Sequence, residues 1–425
     1  MNTFRAFRHA NYRRFWFGML ISLVGTWMQG TAQSFLVYEM TGSALRTAMV
    51  MFAFTLPSLL FSVFGGAIAD RYDRRRLLVG TQISFMTSAA VLAALTLTGV
   101  VQVWHILVLA FASGLTMAID APTRQALLPG LVEREDLQNA IALNAAVFNG
   151  SRVFGPVLAG IIYEVGGPGW AFALNSVSYL AVIWPLTRMR LAVAQGSAQS
   201  EPMLAQVRDG IAYVRSQAAV GSLLLLVAGV GTFGFAWMVL APAFTVGVLG
   251  MGPLENGYLL TATGVGATAG ALTVATLRGL RRPGVFVATC ATLAGVMLVV
   301  FSFTRTLPPA LLTLAVVGFF LTAFMSSTNA TIQSLVEDRY RGRVMSLYTL
   351  ALIGSGPIGS LLAGVVADAL SVPASLAING AMVVACAALI YIRAPAVVRL
   401  RSTVPAHGVP VSTPIGSAAG SATAR

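Results

Sequence analysis

Lysine is absent from this chain of 425 residues, so all 27 basic residues are arginine. That excludes a phosphate-binding loop of the Gly-x4-Gly-Lys-Ser/Thr kind, and with it ATP hydrolysis by such a loop. Cysteine is scarce. Cys290 and Cys386 are the only two, each inside an apolar run without a neighbouring His or Cys. They read as small core residues, not as a disulfide framework or a metal pair. The three histidines (His9, His105 and His407) are scattered, so no metal site is indicated and no cofactor is expected. Acids number 14, and charged residues make up only 10% of the chain. So few charges cannot cover the surface of a soluble domain of this length. No removable signal peptide is expected, because the first apolar run is long and lacks a cleavage site.

What is present is apolar length. Hydrophobic residues are 57% of the chain and the mean hydropathy is +0.80. Apolar runs recur at about twenty residues, the length a helix needs to cross a bilayer. The spacing predicts about twelve spans: 15–39, 45–69, 77–98, 103–126, 139–163, 169–187, 219–247, 255–278, 284–304, 308–331, 343–368 and 372–392. The fold class is therefore an all-α polytopic membrane protein. The net charge of +13 raises the possibility of nucleic-acid binding. The arginines instead fill alternate short gaps between apolar runs, as cytoplasmic loops do. A membrane protein with no nucleic-acid partner is the better reading. The bilayer is its first partner, and both termini are expected on the cytoplasmic side.

The sequence divides into five parts. Residues 1–14 interleave Arg5, Arg8, Arg13 and Arg14 with aromatics and predict a short interfacial helix on the cytoplasmic surface. Residues 15–187 form a first six-helix bundle and 219–392 a second. The polar linker 188–218 carries Leu204, Val207, Ile211 and Val214 at helical spacing, which predicts an amphipathic surface helix. The tail 393–425 becomes rich in Ser, Ala, Gly, Thr and Pro from Arg401 onward and is expected to be disordered and cytoplasmic.

The halves are related. Leu131-Val132-Glu133 is matched by Leu335-Val336-Glu337, Gly150-Ser151 by Gly354-Ser355, Gly155 by Gly359, and Leu158-Ala159-Gly160 by Leu362-Ala363-Gly364. The offset is 204 residues throughout. Repeated halves in a polytopic protein suit a transporter that rocks two bundles about a site between them.

The densest charge cluster follows the second span: Asp70-Arg71-Tyr72-Asp73-Arg74-Arg75-Arg76, six charges in seven residues. With Gly66 before it, the stretch resembles the loop between helices 2 and 3 of the major facilitator superfamily. Asp73 replaces the glycine usual in that pattern, and as a turn former it can cap the following helix. Gly150, Gly155, Pro156 and Gly160 resemble the helix 5 Gly-Pro motif of antiporter members. The stretches Gly25-Thr26-Trp27-Met28-Gln29, Leu36 to Ser43 and Asp120 to Gln125 are similar to the enterobactin exporter-like branch, which holds siderophore exporters and drug–proton antiporters. The resemblance covers residues 5 to about 395. It implies two pseudo-symmetric bundles in the cytoplasmic (inner) membrane of a bacterium and a secondary active transporter, not an enzyme. It also implies a small organic substrate exported by alternating access, a proton as coupling ion and a monomeric protein. An uptake permease or lipid flippase uses the same fold, and a non-transporting sensor or scaffold is the remote alternative.

The same resemblance implies a cytoplasmic gate formed by Gly66, Asp70, Arg71, Arg74 and Arg75, with Asp120 and Arg124 as partners. Asp120 and Arg124 are four residues apart and can also simply pair with each other. Asp70 could alternatively bond Arg124 or face the start of helix 11. Arg152 falls near mid-membrane, where a charge costs at least about 2.5 kcal/mol and must face the bundle interior or a wet cavity. It could contact substrate or coupling ion, with an anionic group one candidate, or it could be a structural pair. Thr26, Trp27, Gln29, Gln33 and Asn149 are candidates to line the cavity, with polar helix–helix contact as the alternative. No acid falls at mid-depth, so the proton rests on the resemblance alone.

Overall fold

The computed structural model describes residues 4–189, 203–277, 282–394 and 397. Sixteen α-helices lie among them: α1 Ala10–Thr41, α2 Ala44–Arg71, α3 Arg74–Leu97, α4 Val103–Leu127, α5 Leu137–Gly166, α6 Pro168–Ser178, α7 Leu180–Arg188, α8 Met203–Ser216, α9 Ala218–Phe233, α10 Trp237–Gly247, α11 Pro253–Thr276, α12 Pro283–Ser302, α13 Leu307–Leu335, α14 Asp338–Ile353, α15 Gly356–Ala369 and α16 Val372–Arg393. No strand occurs among the described residues. Eleven helical stretches there are long and apolar enough to cross a membrane. Helix α1, at 32 residues, is also long enough and completes a set of twelve.

Turn chemistry sets the helix ends. Gly42 closes α1 in the left-handed conformation at φ +62°, donating its N–H to the Tyr38 carbonyl. Ser43 then caps α2 by accepting from the Arg46 N–H, and Asp73 caps α3 by accepting from the Arg76 N–H. The capping role expected of Asp73 is thus met.

Three expected spans are each two helices in sequence. Span 169–187 changes at Tyr179, span 219–247 at Gly234–Ala236, and span 343–368 at Gly354–Ser355. At the last break Pro357 supplies no N–H to the Ile353 carbonyl one turn back, and Ser355 Oγ donates to the Ala351 carbonyl at 2.6 Å.

The N-terminus also departs from expectation. Instead of an interfacial helix over 1–14, a 3-10 turn spans Arg5–Arg8 and α1 already begins at Ala10. Ion pairs explain the change. The fully buried Asp136 carboxylate takes Arg5 Nε at 2.9 Å, Arg8 Nε at 2.7 Å and His9 Nε2 at 2.8 Å, while Glu133 takes Arg8 at 2.6 Å. The segment is therefore clamped to the turn before α5 and does not lie freely on a surface. The linker helix is α8, which docks on α14 through a Tyr213–Tyr340 stack at 4.4 Å and an Arg343–Asp209 ion pair at 3.4 Å. The first part of the linker, 190–202, and the tail from Arg401 lie outside the described residues.

Helices α1–α7 pack into one bundle and α9–α16 into a second, and the 204-residue offset recurs in that packing. Gly155 seats α5 on α1, where a Cβ would fall 2.5 Å from Trp27 Cβ. Gly359 seats α15 on α9, 1.7 Å from the Thr232 carbonyl oxygen. Gly160 and Gly364 do the same between bundles, against the Cα atoms of Leu254 on α11 (2.7 Å) and Leu45 on α2 (2.8 Å). Small residues let helices approach where no side chain could fit.

The close contacts between the bundles run from the Arg-poor end to about mid-helix. Their contacts run from the start of α2 to the end of α15, and from the later half of α5 to the start of α11. Two crossing hydrogen-bond groups mark this extent: near mid-helix Thr261 Oγ1 donates to the Val153 carbonyl at 2.8 Å, and at the outer end Asp368 accepts from residues 43–45. This is the Arg-poor end. At the Arg-rich end α14 packs on α8 and α9 within its own half.

Candidate functional site

The polar side chains of the first bundle form three groups. The first is the loop between α2 and α3. Arg74 Nη1 donates to the Ala126 carbonyl at 3.0 Å, and Arg75 donates to the Thr187 carbonyl. These carbonyls end α4 and α7, where a cation is favoured by the helix dipole. The two arginines thus tie three helix ends together within one bundle. Asp70 is exposed and has no hydrogen bond or ion pair among the described residues. Arg71 is also exposed. Gly66 has open space around its Cβ position. Its neighbour Gly65 makes the close approach, 1.9 Å from the Ala118 carbonyl oxygen of α4.

The second group surrounds Asp120, which is fully buried on α4. Arg124 pairs with it one turn on. Thr81 Oγ1 and Gln82 Nε2 of α3 donate to the other carboxylate oxygen at 2.7 and 2.8 Å. A buried carboxylate needs this many donors to offset its lost hydration. The local pair named from sequence is therefore formed, and here Arg124 is engaged by Asp120, not by Asp70. Thr81 and Gln82 were not singled out from sequence. Their signal is a Thr-Gln pair inside an apolar helix.

The third group lies where α1, α5 and α6 face one another. Arg152, midway along α5, is partly buried with its guanidinium carbon 5.9 Å from the Trp27 ring centroid. Trp27 in turn meets Phe148 edge-on at 6.0 Å. No acid, hydrogen bond or ion pair engages Arg152 among the described residues. A cation over an aromatic face gains only about 0.5–2 kcal/mol, which does not replace a counter-ion at mid-membrane.

Nearby, Asn175 Nδ2 donates to Gln29 Oε1 at 2.6 Å, and Thr26 Oγ1 lies 3.3 Å from the Tyr179 hydroxyl. Gln33 is buried. Asn149 donates to the Ala145 carbonyl of its own helix. Trp27 and Arg152 thus meet between α1 and α5, while Gln29 and Thr26 meet Asn175 and Tyr179 on the α6 side of α1. Pro156 and Gly160 face α11 instead, with the Pro156 carbonyl oxygen 2.4 Å from the Cβ position of Gly257.

Sequence reasoning missed two further polar contacts, the Asp136 clamp and Asp368.

Comparison with known proteins follows this geometry. A family model described as a transmembrane secretion effector matches residues 1–420. The multidrug efflux pump Tap of Mycolicibacterium fortuitum is 28% identical, over 83% of this chain and 88% of that protein. The staphyloferrin A transporter of Staphylococcus aureus is 24% identical over 86% of this chain and 92% of its own length. The enterobactin exporter EntS of Citrobacter koseri is 24% identical, over 88% and 89%. Among solved structures, a bacterial homolog of the human lysosomal transporter Spinster, inward-facing and occupied, gives a TM-score of 0.71 at 13% identity, covering 91% of this chain and 97% of that one. At that identity the likeness speaks to fold alone.

Proposed function

This chain belongs to the transmembrane secretion effector family of the major facilitator superfamily, and we propose that it exports a small organic molecule of drug or siderophore type by alternating access. It is a multi-pass membrane transporter and not an enzyme. Its Arg-rich loops face the cytoplasm of a bacterium, by the positive-inside rule, which puts the described chain ends on that side. The protein acts as a monomer in the inner membrane, and a proton gradient drives it.

The observation that carries this reading is the one-sided contact between the bundles. Their close contacts run from the Arg-poor end to about mid-helix, which supports an inward-facing conformation with the centre reached from the cytoplasm. Substrate enters there and meets Trp27, Gln29 and Arg152. The guanidinium, lacking an acid partner, takes an anionic or strongly polar group of the substrate. Rocking then brings the loop of Asp70, Arg71, Arg74 and Arg75 against the second bundle and closes the cytoplasmic side. Asp120 and Arg124 brace that loop from α4.

Everted vesicles carrying the protein, with an imposed pH gradient and a panel of labelled drugs and siderophores, test this. Gradient-driven accumulation of a panel member is expected. Flux of every substrate in the opposite direction would make the protein an uptake permease and overturn the export reading.

A further inference from the structure

The two contacts that join the bundles are related by the 204-residue offset, yet their polar ends differ. On α5 the position matching Asp368 is Glu164. No hydrogen bond or ion pair engages Glu164 among the described residues. The helix facing it, α11, is capped from within: the Gly252 N–H donates to Glu255 Oε2 at 3.0 Å. At the other contact the capping carboxylate comes from across the interface. Asp368 Oδ1 on α15 accepts from the Ala44 N–H at 2.8 Å, and its Oδ2 accepts from the Ser43 hydroxyl at 2.5 Å and the Leu45 N–H at 3.3 Å. Ser43 Oγ also accepts from the Arg46 N–H at 3.2 Å, so one hydroxyl links the helix's own cap to the acid of the opposite bundle.

We propose that Asp368 is the latch of the outer closure. The first turn of a helix presents unpaired N–H groups and a partial positive charge, and a carboxylate bonded to them is charge-assisted. Here the helix belongs to one bundle and the carboxylate to the other. The bonds exist only while the outer ends of α2 and α15 touch, so they weight the inward-facing state over the outward-facing one.

Asp368 is exposed, and a cavity of about 420 Å³ lined by Tyr38, Ser43, Asp368 and Ser371 brings water to it. Water can therefore take over each bond as the ends part. This makes the contact a reversible latch of modest strength.

Helix α2 then carries an acid-based closure at each end, used in opposite states. Asp368 meets its N-terminus now, while Asp70 at its cytoplasmic end is exposed and unengaged. This inference rests on the transporter reading of the fold. It depends on no particular substrate or coupling ion.

Double electron–electron resonance on the full chain in nanodiscs tests it, with spin labels at Met49→Cys and Leu370→Cys and the native Cys290 and Cys386 changed to serine. Both label sites are exposed at the outer ends of α2 and α15. Without substrate or gradient, Asp368→Ala should raise the ratio of long to short outer distances on the order of tenfold. Asp368→Asn should raise it by less, because an amide oxygen still accepts from Ala44. Ser43→Ala should give a smaller rise, and Glu164→Ala none. If Asp368→Ala lowers yield or helicity, Asp368→Asn and Ser43→Ala decide the matter. Unchanged distances in the Asp368 and Ser43 variants, or an equal shift with Glu164→Ala, would overturn the latch. Failure of the export reading looks different: vesicles show no flux while the distances still respond.

Discussion

Asp120 on α4 and Phe324 on α13 stand 204 residues apart, at matching places in the two bundles. Both are fully buried. One is a carboxylate held by three side chains, the other a ring in an apolar core that also holds Trp237, Phe244 and Phe301. The same substitution of character runs along the repeat. Arg124 corresponds to Thr328, Gln29 to Phe233, Tyr179 to Val383, Arg152 to Gly356 and Asp70 to Val274. The glycines that set helix approach are kept in both halves, at Gly155 and Gly359 and at Gly160 and Gly364. Packing positions are thus shared, while the buried carboxylates among the described residues, Asp120 and Asp136, lie in the first bundle. Close-packed positions tolerate little change in volume, whereas a buried polar group persists only where its partners are supplied with it. The second bundle buries neutral polar groups such as Asn256 and Asn379, and the first adds buried charge to them.

The largest effect should come from breaking the Asp120 group. Asp120→Asn leaves Arg124 without its counter-ion and should cost about 3 kcal/mol, read as a fall in melting temperature in detergent. The double variant Asp120→Asn with Arg124→Gln should recover part of that loss, because the stranded charge is gone. At the matching apolar position Phe324→Leu should cost less, about 1–2 kcal/mol. A larger loss at Phe324 than at Asp120 would break the division of roles drawn here.

Arg152→Gln comes next. Its guanidinium engages no acid, so melting should barely change, while export should fall roughly ten- to a hundredfold through loss of a charge-assisted contact. Arg152→Lys should restore part of the rate. A stability loss without a transport loss would move Arg152 from the working side to the structural side. Asp70→Asn should slow vesicle transport by about tenfold and leave the melting temperature of this conformation unchanged, since Asp70 has no hydrogen bond or ion pair among the described residues. A melting shift would mean that the acid is already engaged.

Much of this molecule could be read before its structure. Apolar runs located the helices, because a spanning helix must satisfy its backbone internally and cover itself with apolar side chains. Arginine gaps separated the two ends, and the constant offset paired Gly155 with Gly359. Hydropathy could not show the breaks at Tyr179, Gly234–Ala236 and Gly354–Ser355, since one to three residues barely change the average of a long apolar run. Nor could it show that Asp136 draws Arg5, Arg8 and His9 into a clamp, because those partners lie more than a hundred residues apart. Asp368 was visible as an acid, but its three donors belong to another helix of another bundle. Local patterns are legible along a chain, whereas partners across an interface depend on how the bundles meet.

Asn175 and Asn379 give the finest version of the comparison, for here the residue type is the same in both halves. Asn379 is buried on α16 and donates to the Ser375 carbonyl of its own helix at 2.8 Å. Removing it strands no side chain on another helix. Asn175 is equally buried on α6 but donates across to Gln29 of α1, and its own carbonyl oxygen accepts from Ser178. Removing it leaves Gln29 Oε1 without this donor in the apolar interior. Asn175→Ala should therefore cost about 1–2 kcal/mol, and Asn379→Ala about half that or less, measured side by side as melting shifts. The paired variant Gln29→Leu with Asn175→Leu should return close to the stability of the parent, because both partners become apolar together. If it also exports normally, the Gln29–Asn175 bond is a helix-packing contact. If it folds well but exports poorly, the pair lines the substrate path, and the polar bias of the first bundle extends to the cavity wall.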